Sequence, residues 1–212
     1  MEGRVSGICV CEHLIQIRAA LEKCAERGIS MEELEKNLMD MLAEQQLKLG
    51  FRKEQVTFYY PKASLEHLLG AKPGEEISEK LSVFLKEAET RLGKIEISHT
   101  GERFRIVVPE EGSVYVREHM GEQTFLKAFL EEISKPSCTP EGLKALFEQF
   151  GGREGIVAQK LQDEEFDCLY YFKSGEPDRY RYCVTFEEHH AAYHRFLPLD
   201  YADFGFKEGK PF

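Results

Sequence analysis

The spacing of apolar side chains changes once along this chain, near residue 94, and that change bounds the fold. Before it, apolar residues recur every three or four positions, the period of an amphipathic helix. After it, stretches alternate apolar and polar, the period of a half-buried strand. Such a sequence predicts an α+β protein: N-terminal amphipathic helices, then mostly antiparallel strands with two intervening helices.

In the first portion, Val10, Leu14, Ile17, Leu21 and Cys24 form a stripe that stops at Gly28. Ser30-Met31-Glu32-Glu33 reads as a capping box, and Leu34, Leu38, Met41, Leu42 and Leu49 mark a second helix ending at Gly50. The two predict an antiparallel helical hairpin. Ser64 begins a turn or two running through Leu69, and Pro73-Gly74 breaks the chain. Ile77, Leu81, Phe84, Leu85, Ala88 and Leu92 give a third long helix, stopped by Gly93.

Beyond 94, Ile95 and Ile97, then Phe104, Ile106 and Val108, predict a β-hairpin whose polar face sets Glu96 against Arg103 or Arg105. Val114 and Val116 suggest a short further strand. Phe125, Ala128, Phe129 and Ile133 mark a helix. Thr139-Pro140 caps another, carrying Leu143, Leu146, Phe147 and Phe150 and closed by Gly151-Gly152. Residues 151–212 hold 13 of the 24 aromatic side chains, and two alternating runs, 166–172 and 180–186, predict antiparallel strands. A third runs from Ala191 to Leu197. Composition shifts near 93 and 151 without a flexible linker. The expectation is one α+β domain over 1–212, with 1–93 helical and 94–212 mixed and rich in antiparallel strands.

Charge narrows the function classes. The chain carries 28 Lys+Arg against 38 Asp+Glu, a net −10. The excess is broad: 13 basic and 16 acidic residues in 1–93, 7 and 10 in 94–150, 8 and 12 in 151–212. No basic block emerges, which disfavours nucleic acid and anionic lipid as partners. The turn before Met31 faintly resembles that of a helix-turn-helix, but Glu32, Glu33 and Glu35 would then face phosphate. Glycine-rich phosphate loops and nucleophile elbows are absent, and Gly151-Gly152-Arg153-Glu154-Gly155 reads as a helix stop and loop. No signal-peptide pattern or membrane-length apolar run is found, so a cytoplasmic location is expected. The six cysteines (9, 11, 24, 138, 168 and 183) form no C-x-x-C pair, and free thiols are expected.

Three constellations carry chemistry. Three of seven histidines fall in Glu187-Glu188-His189-His190-Ala191-Ala192-Tyr193-His194. His190 and His194 share a face at this spacing, and with Glu187 they make the ligand set of a divalent metal that would lower the pKa of a bound water. The general-base glutamate of H-E-x-x-H is missing, since Ala191 follows His190. The second is a small-molecule site on the aromatic strands, with Arg181, Cys183, Tyr193 and Arg195 as ligand residues; Arg179 offers a further cation. A thiol nucleophile at Cys183, with His189 or His194 as base and Asp200 to orient it, is a third arrangement; Cys168 lies among aromatics. The balance favours a non-catalytic module binding a small molecule or protein, with a homodimer through the N-terminal helices as one arrangement. The alternative is a metal-dependent enzyme using 187–194.

Overall fold

The computed structural model describes residues 32–72, 74–162, 165–188, 190–198 and 210–211. The stripe from Val10 to Cys24, the Ser30 cap, Cys9, Cys11, His189 and Asp200 lie outside them. The protein is α+β: the described residues form six helices and two antiparallel sheets. The described residues divide between two compact units, one holding those within 32–40 and 54–112, the other those within 41–53 and 113–211. The division falls inside helix α1 (residues 32–49) and inside α4 (Glu110–His119).

The first unit is built on a three-stranded sheet in the order β1-β3-β2, from β1 (Val56–Pro61), β2 (Glu96–Thr100) and β3 (Arg103–Val108). The β2–β3 hairpin confirms the period-2 reading, with Phe104, Ile106 and Val108 buried. Its turn pairs Thr100 with Arg103, so Arg105 faces Ser98 and Glu96 faces Val107. Glu96 thus lies opposite neither arginine, contrary to the sequence expectation. Strand β1 is also a departure, since it lies within the portion expected to be helical. Val56, Phe58 and Tyr60 alternate correctly, and pairing with Val108, Ile106 and Phe104 gives them a buried face.

Helix α2 (Lys62–Leu68) buries Leu65 and Leu68, and α3 (Ser78–Leu92) buries Leu81, Phe84, Ala88 and Leu92 at the predicted spacing. The first half of α1 adds Leu34 and Leu38, both inaccessible to solvent. Polar links supplement this packing. Tyr60 Oη donates to Asn37 Oδ1 at 2.7 Å, and Arg91 makes a two-point ion pair with Glu35, with Nη2 2.6 Å from Oε2.

Residues 114–116 belong to α4 and not to a strand. Pro109 precedes it, Glu110 and Glu111 place carboxylates where the helix N-terminus favours negative charge, and the buried positions Gly112, Ser113 and Val116 follow helical spacing. Two valines two apart share a face only on a strand; on this helix they fall on different sides, with Val116 buried and Val114 half-buried.

The second unit sets α5 (Thr124–Ile133) and α6 (Pro140–Gly151) against a sheet in the order β7-β6-β5-β4-β8. Its strands are β4 (Ile156–Lys160), β5 (Cys168–Phe172), β6 (Arg181–Phe186), β7 (Ala191–Phe196) and the two-residue β8 (Lys210–Pro211). Thr139 Oγ1 accepts from Gly142 N at 3.1 Å with Pro140 at the first helical position, the cap read from sequence. The core between helices and sheet is aromatic. Phe125 meets Phe147 and Phe172 edge-on at 4.9 and 4.8 Å, Phe147 stacks on Tyr170 at 5.4 Å, and Phe129 meets Tyr182 at 4.5 Å. Such contacts add to area burial only when the rings hold these offsets.

Helix α6 reaches β4 through residues 152–155, a connection closed by Gly155 N donating to Gly152 O at 3.1 Å. A Cβ on Gly155 would sit 2.0 Å from the Gly151 carbonyl oxygen, which the backbone cannot yield. Gly155→Ala is expected to destabilise the protein by about 2 kcal/mol or more, read as a lower urea midpoint. An unchanged midpoint would show that the connection relaxes freely.

Candidate functional site

Alternation along β6 and β7 decides which side chains meet. Tyr182 pairs in register with Arg195, and Val184 with Tyr193, so these four share the face turned to the helices. Arg181, Cys183, His194 and Phe196 fall on the opposite face. The four residues expected to line one ligand site are therefore divided: Tyr193 and Arg195 on one side, Arg181 and Cys183 on the other.

On the helical side, Arg195 is the centre of a buried network. Its side chain is 4% exposed, and it lies between two carboxylates that are nearly as enclosed: Nη1 is 2.9 Å from Glu44 Oε2, and Nη2 is 2.8 Å from Asp178 Oδ2. Its guanidinium carbon stands 3.7 Å above the centre of the Tyr180 ring. Asp178, in the loop before β6, also accepts from Tyr180 N at 2.8 Å and from Tyr182 Oη at 3.1 Å. Glu44, on the second half of α1, accepts from Tyr193 Oη at 2.6 Å and pairs with Lys48 Nζ at 2.8 Å. Two cations and two anions balance.

The electrostatics follow from that geometry. Burial opposes ionisation of Glu44, but Arg195, Lys48 and Tyr193 together outweigh it and hold the carboxyl below its usual 4.5. Burial likewise opposes the charge on Arg195, and the surrounding tyrosines with Asp178 and Glu44 keep it protonated. Burial, then the neighbouring acids, pushes the Tyr182 and Tyr193 phenols well upward, so both remain hydrogen-bond donors. The two carboxylates, the Tyr182 and Tyr193 hydroxyls and the two terminal nitrogens of Arg195 pair with one another, while Arg195 Nε is buried without a hydrogen-bond partner among the described residues. Arg195 is committed to Glu44 and Asp178, and the tyrosines are not poised as bases.

The opposite face is apolar at its centre. Leu169, Cys183 and Phe196 form a buried cluster with Leu161, Phe166 and Tyr171 against it. The Arg181 guanidinium lies 4.5 Å over the Tyr171 ring. Cys183 is inaccessible to solvent, and burial raises the Cys168 thiol, both settings of packed thiols and not of thiolates. His194 pairs in register with Cys183 and is flanked by the rings of Phe166 and Phe196 at 6.4 and 5.9 Å.

Of the metal set, Glu187 and His190 come together. They close the β6–β7 turn, where Glu187 N donates to His190 O at 2.8 Å, and their side chains lie 3.1 Å apart with more than half of each exposed. His194 sits within β7, beyond that turn. Among the described residues no three His, Cys, Asp or Glu side chains are grouped to hold a metal ion.

Glu44 and Asp178 escaped the sequence reading. Glu44 resembles any acidic residue on a long helix, and Asp178 reads as a turn residue. The one available signal was the strand alternation itself, which set Arg195 on the apolar face, where a cation requires counter-charges.

A family model described as "Domain of unknown function, E. rectale Gene description (DUF3877)" matches residues 31–205. The matched span includes Glu44, Asp178 and Arg195. No curated protein and no solved structure matches.

Removing the central cation leaves two buried carboxylates facing each other. Arg195→Ala is expected to cost about 3–5 kcal/mol in urea denaturation, and a loss under about 1 kcal/mol would contradict a buried, mutually dependent network. Glu44 adds a pH signature. Its folded pKa is below the unfolded value, so its stabilisation is complete above about pH 5 and is lost as pH falls through the folded pKa. The urea midpoint should drop between pH 5 and 3, and Glu44→Gln should flatten that drop. An equal slope in both proteins would remove Glu44 as its source.

Proposed function

The chain belongs to the DUF3877 family, and we propose that it is a non-catalytic protein-binding module. The observation that carries this reading is a run of nine exposed residues, 47–55, at the end of α1 and beyond it. Three large apolar side chains stand in it: Leu47, Leu49 and Phe51, with Leu49 57% exposed. Lys48, Arg52 and Lys53 flank them with no acid among residues 47–53, although the chain as a whole is acidic. Arg117 lies 5.7 Å over the Phe51 ring. Apolar anchors with a charged rim are the composition of a protein-recognition surface. The polar side chains of the second unit support the same reading, because both terminal nitrogens of Arg195, the carboxylates of Glu44 and Asp178 and the Tyr182 and Tyr193 hydroxyls are taken up by one another. No described helix is long and apolar enough to cross a membrane.

The test compares wild type with Leu49→Ser/Phe51→Ser, immobilised and exposed to the same cell extract. Both substituted residues are exposed, so the fold is expected to persist, checked by circular dichroism and melting. Proteins retained on the wild type should be lost from the variant. Identical retention on both would remove this surface from the function. Stoichiometric divalent metal in untagged protein, lost in His190→Ala/His194→Ala, would overturn the non-catalytic reading in favour of the metal-dependent enzyme.

A further inference from the structure

The first unit carries two arginines on one face of its sheet. Strand β3 is central there, and its odd-numbered residues Arg103 and Arg105 point to the face opposite the buried Phe104 and Ile106. Register assembles two rows across three strands. Tyr59, Arg105 and Ser98 form one, and Pro61, Arg103 and Thr100 form the other. In a third row, Thr57, Val107 and Glu96, the central Val107 is buried and Glu96 is exposed at the edge; of the two arginines, Arg103 is exposed and Arg105 half-buried.

Arg103 is held in place. The Arg103 guanidinium lies 4.6 Å over the ring of Tyr59, itself 55% exposed, which restrains the side chain before any ligand arrives. Neither Arg103 nor Arg105 has an ion-pair partner among the described residues. Hydroxyls of Ser98 and Thr100 flank them on one edge. Two residues along a strand span about 6.6 Å, so the two cations repeat at the distance separating alternate side chains of any other extended chain.

We propose that this face docks an extended acidic segment of a partner protein, one with carboxylates at alternate positions lying along β3. Each carboxylate meets one guanidinium, a pairing that arginine makes with two parallel hydrogen bonds. The inference rests on the protein-binding reading and names the chemistry of a partner. A single-stranded nucleic acid fits less well. Two arginines are a small counterweight to a net charge of −10, and the exposed Tyr59 ring already carries Arg103 on one face, where a base would stack.

The test is fluorescence anisotropy of the full chain with a labelled octapeptide alternating Glu and Thr. Saturable binding with a Kd below about 1 mM is expected. Arg103→Gln/Arg105→Gln should weaken it at least about tenfold, with circular dichroism and melting unchanged. A matched peptide with Gln for Glu should not bind. The proposal is overturned by absence of saturable binding to wild type, by equal affinity of the double variant, or by equal affinity for the Gln peptide. It is also overturned if an eight-nucleotide oligothymidylate binds more tightly and loses that affinity in the same variant. These outcomes are independent of the 49/51 comparison, because the substitutions and the ligand both differ. A peptide that fails here leaves retention through Leu49 and Phe51 standing, and the converse also holds.

Discussion

Placing the Arg195 guanidinium inside the protein constrains the second unit more than any other single interaction. Moving such an ion out of water carries a penalty of several kcal/mol, recovered only when counter-charges and hydrogen bonds meet it in good geometry. Here the partners come from separate parts of the chain: Glu44 from α1, Asp178 from the loop before β6, and the ring of Tyr180 from just after it. None of these parts can shift without exposing or orphaning a charge. Strand β7 stands at the end of the sheet order, so one of its sides lacks a neighbouring strand among the described residues. The ion pair to Glu44 and the Tyr193 hydrogen bond tie that edge strand to α1.

Apolar burial and the charged network divide the labour. The rings of Phe125, Phe129, Phe147, Tyr170, Phe172 and Tyr182 supply the burial that drives helices and sheet together. Burial by itself is non-directional, so the rings fix which face is inside more than they fix individual polar geometries. The network fixes those geometries, because Asp178 must reach the Tyr180 amide, the Tyr182 hydroxyl and Arg195 at once.

What could be read in one dimension was whatever a single element expresses alone. Helices α3, α5 and α6 each carry a full stripe, and the β2–β3 hairpin carries two alternating runs about a glycine turn. Strand β1 was missed because its six residues sit between helical stripes, and β4 because Ile156, Val157 and Ala158 run without alternation. The candidate site was legible only in half. Sequence singled out Tyr193 and Arg195, but their partner Glu44 lies 149 and 151 residues earlier, a pairing no local pattern expresses. The same limit applied to Arg181 and Cys183. Both were rightly placed on alternating strands, yet alternation itself puts them on the face away from Arg195.

The buried and exposed arginines of this chain show how context divides one residue type into different roles. Arg195 is enclosed by opposite charge and cannot be offered to a ligand without dismantling its surroundings. Arg103, exposed, and Arg105, half-buried, share the sheet face away from Phe104 and Ile106, the former resting on an aromatic ring, with no carboxylate directly opposite either in register. An overall negative charge does not erase such local fields, since exposed charges more than about 10 Å apart are largely screened at physiological salt. Recognition of an acidic partner by an acidic chain therefore requires only that a few cations be held apart from the chain's own carboxylates. The register of β2 on β3 sets Ser98 and Thr100 directly opposite the arginines and places Glu96 one row from Arg105 and two rows from Arg103.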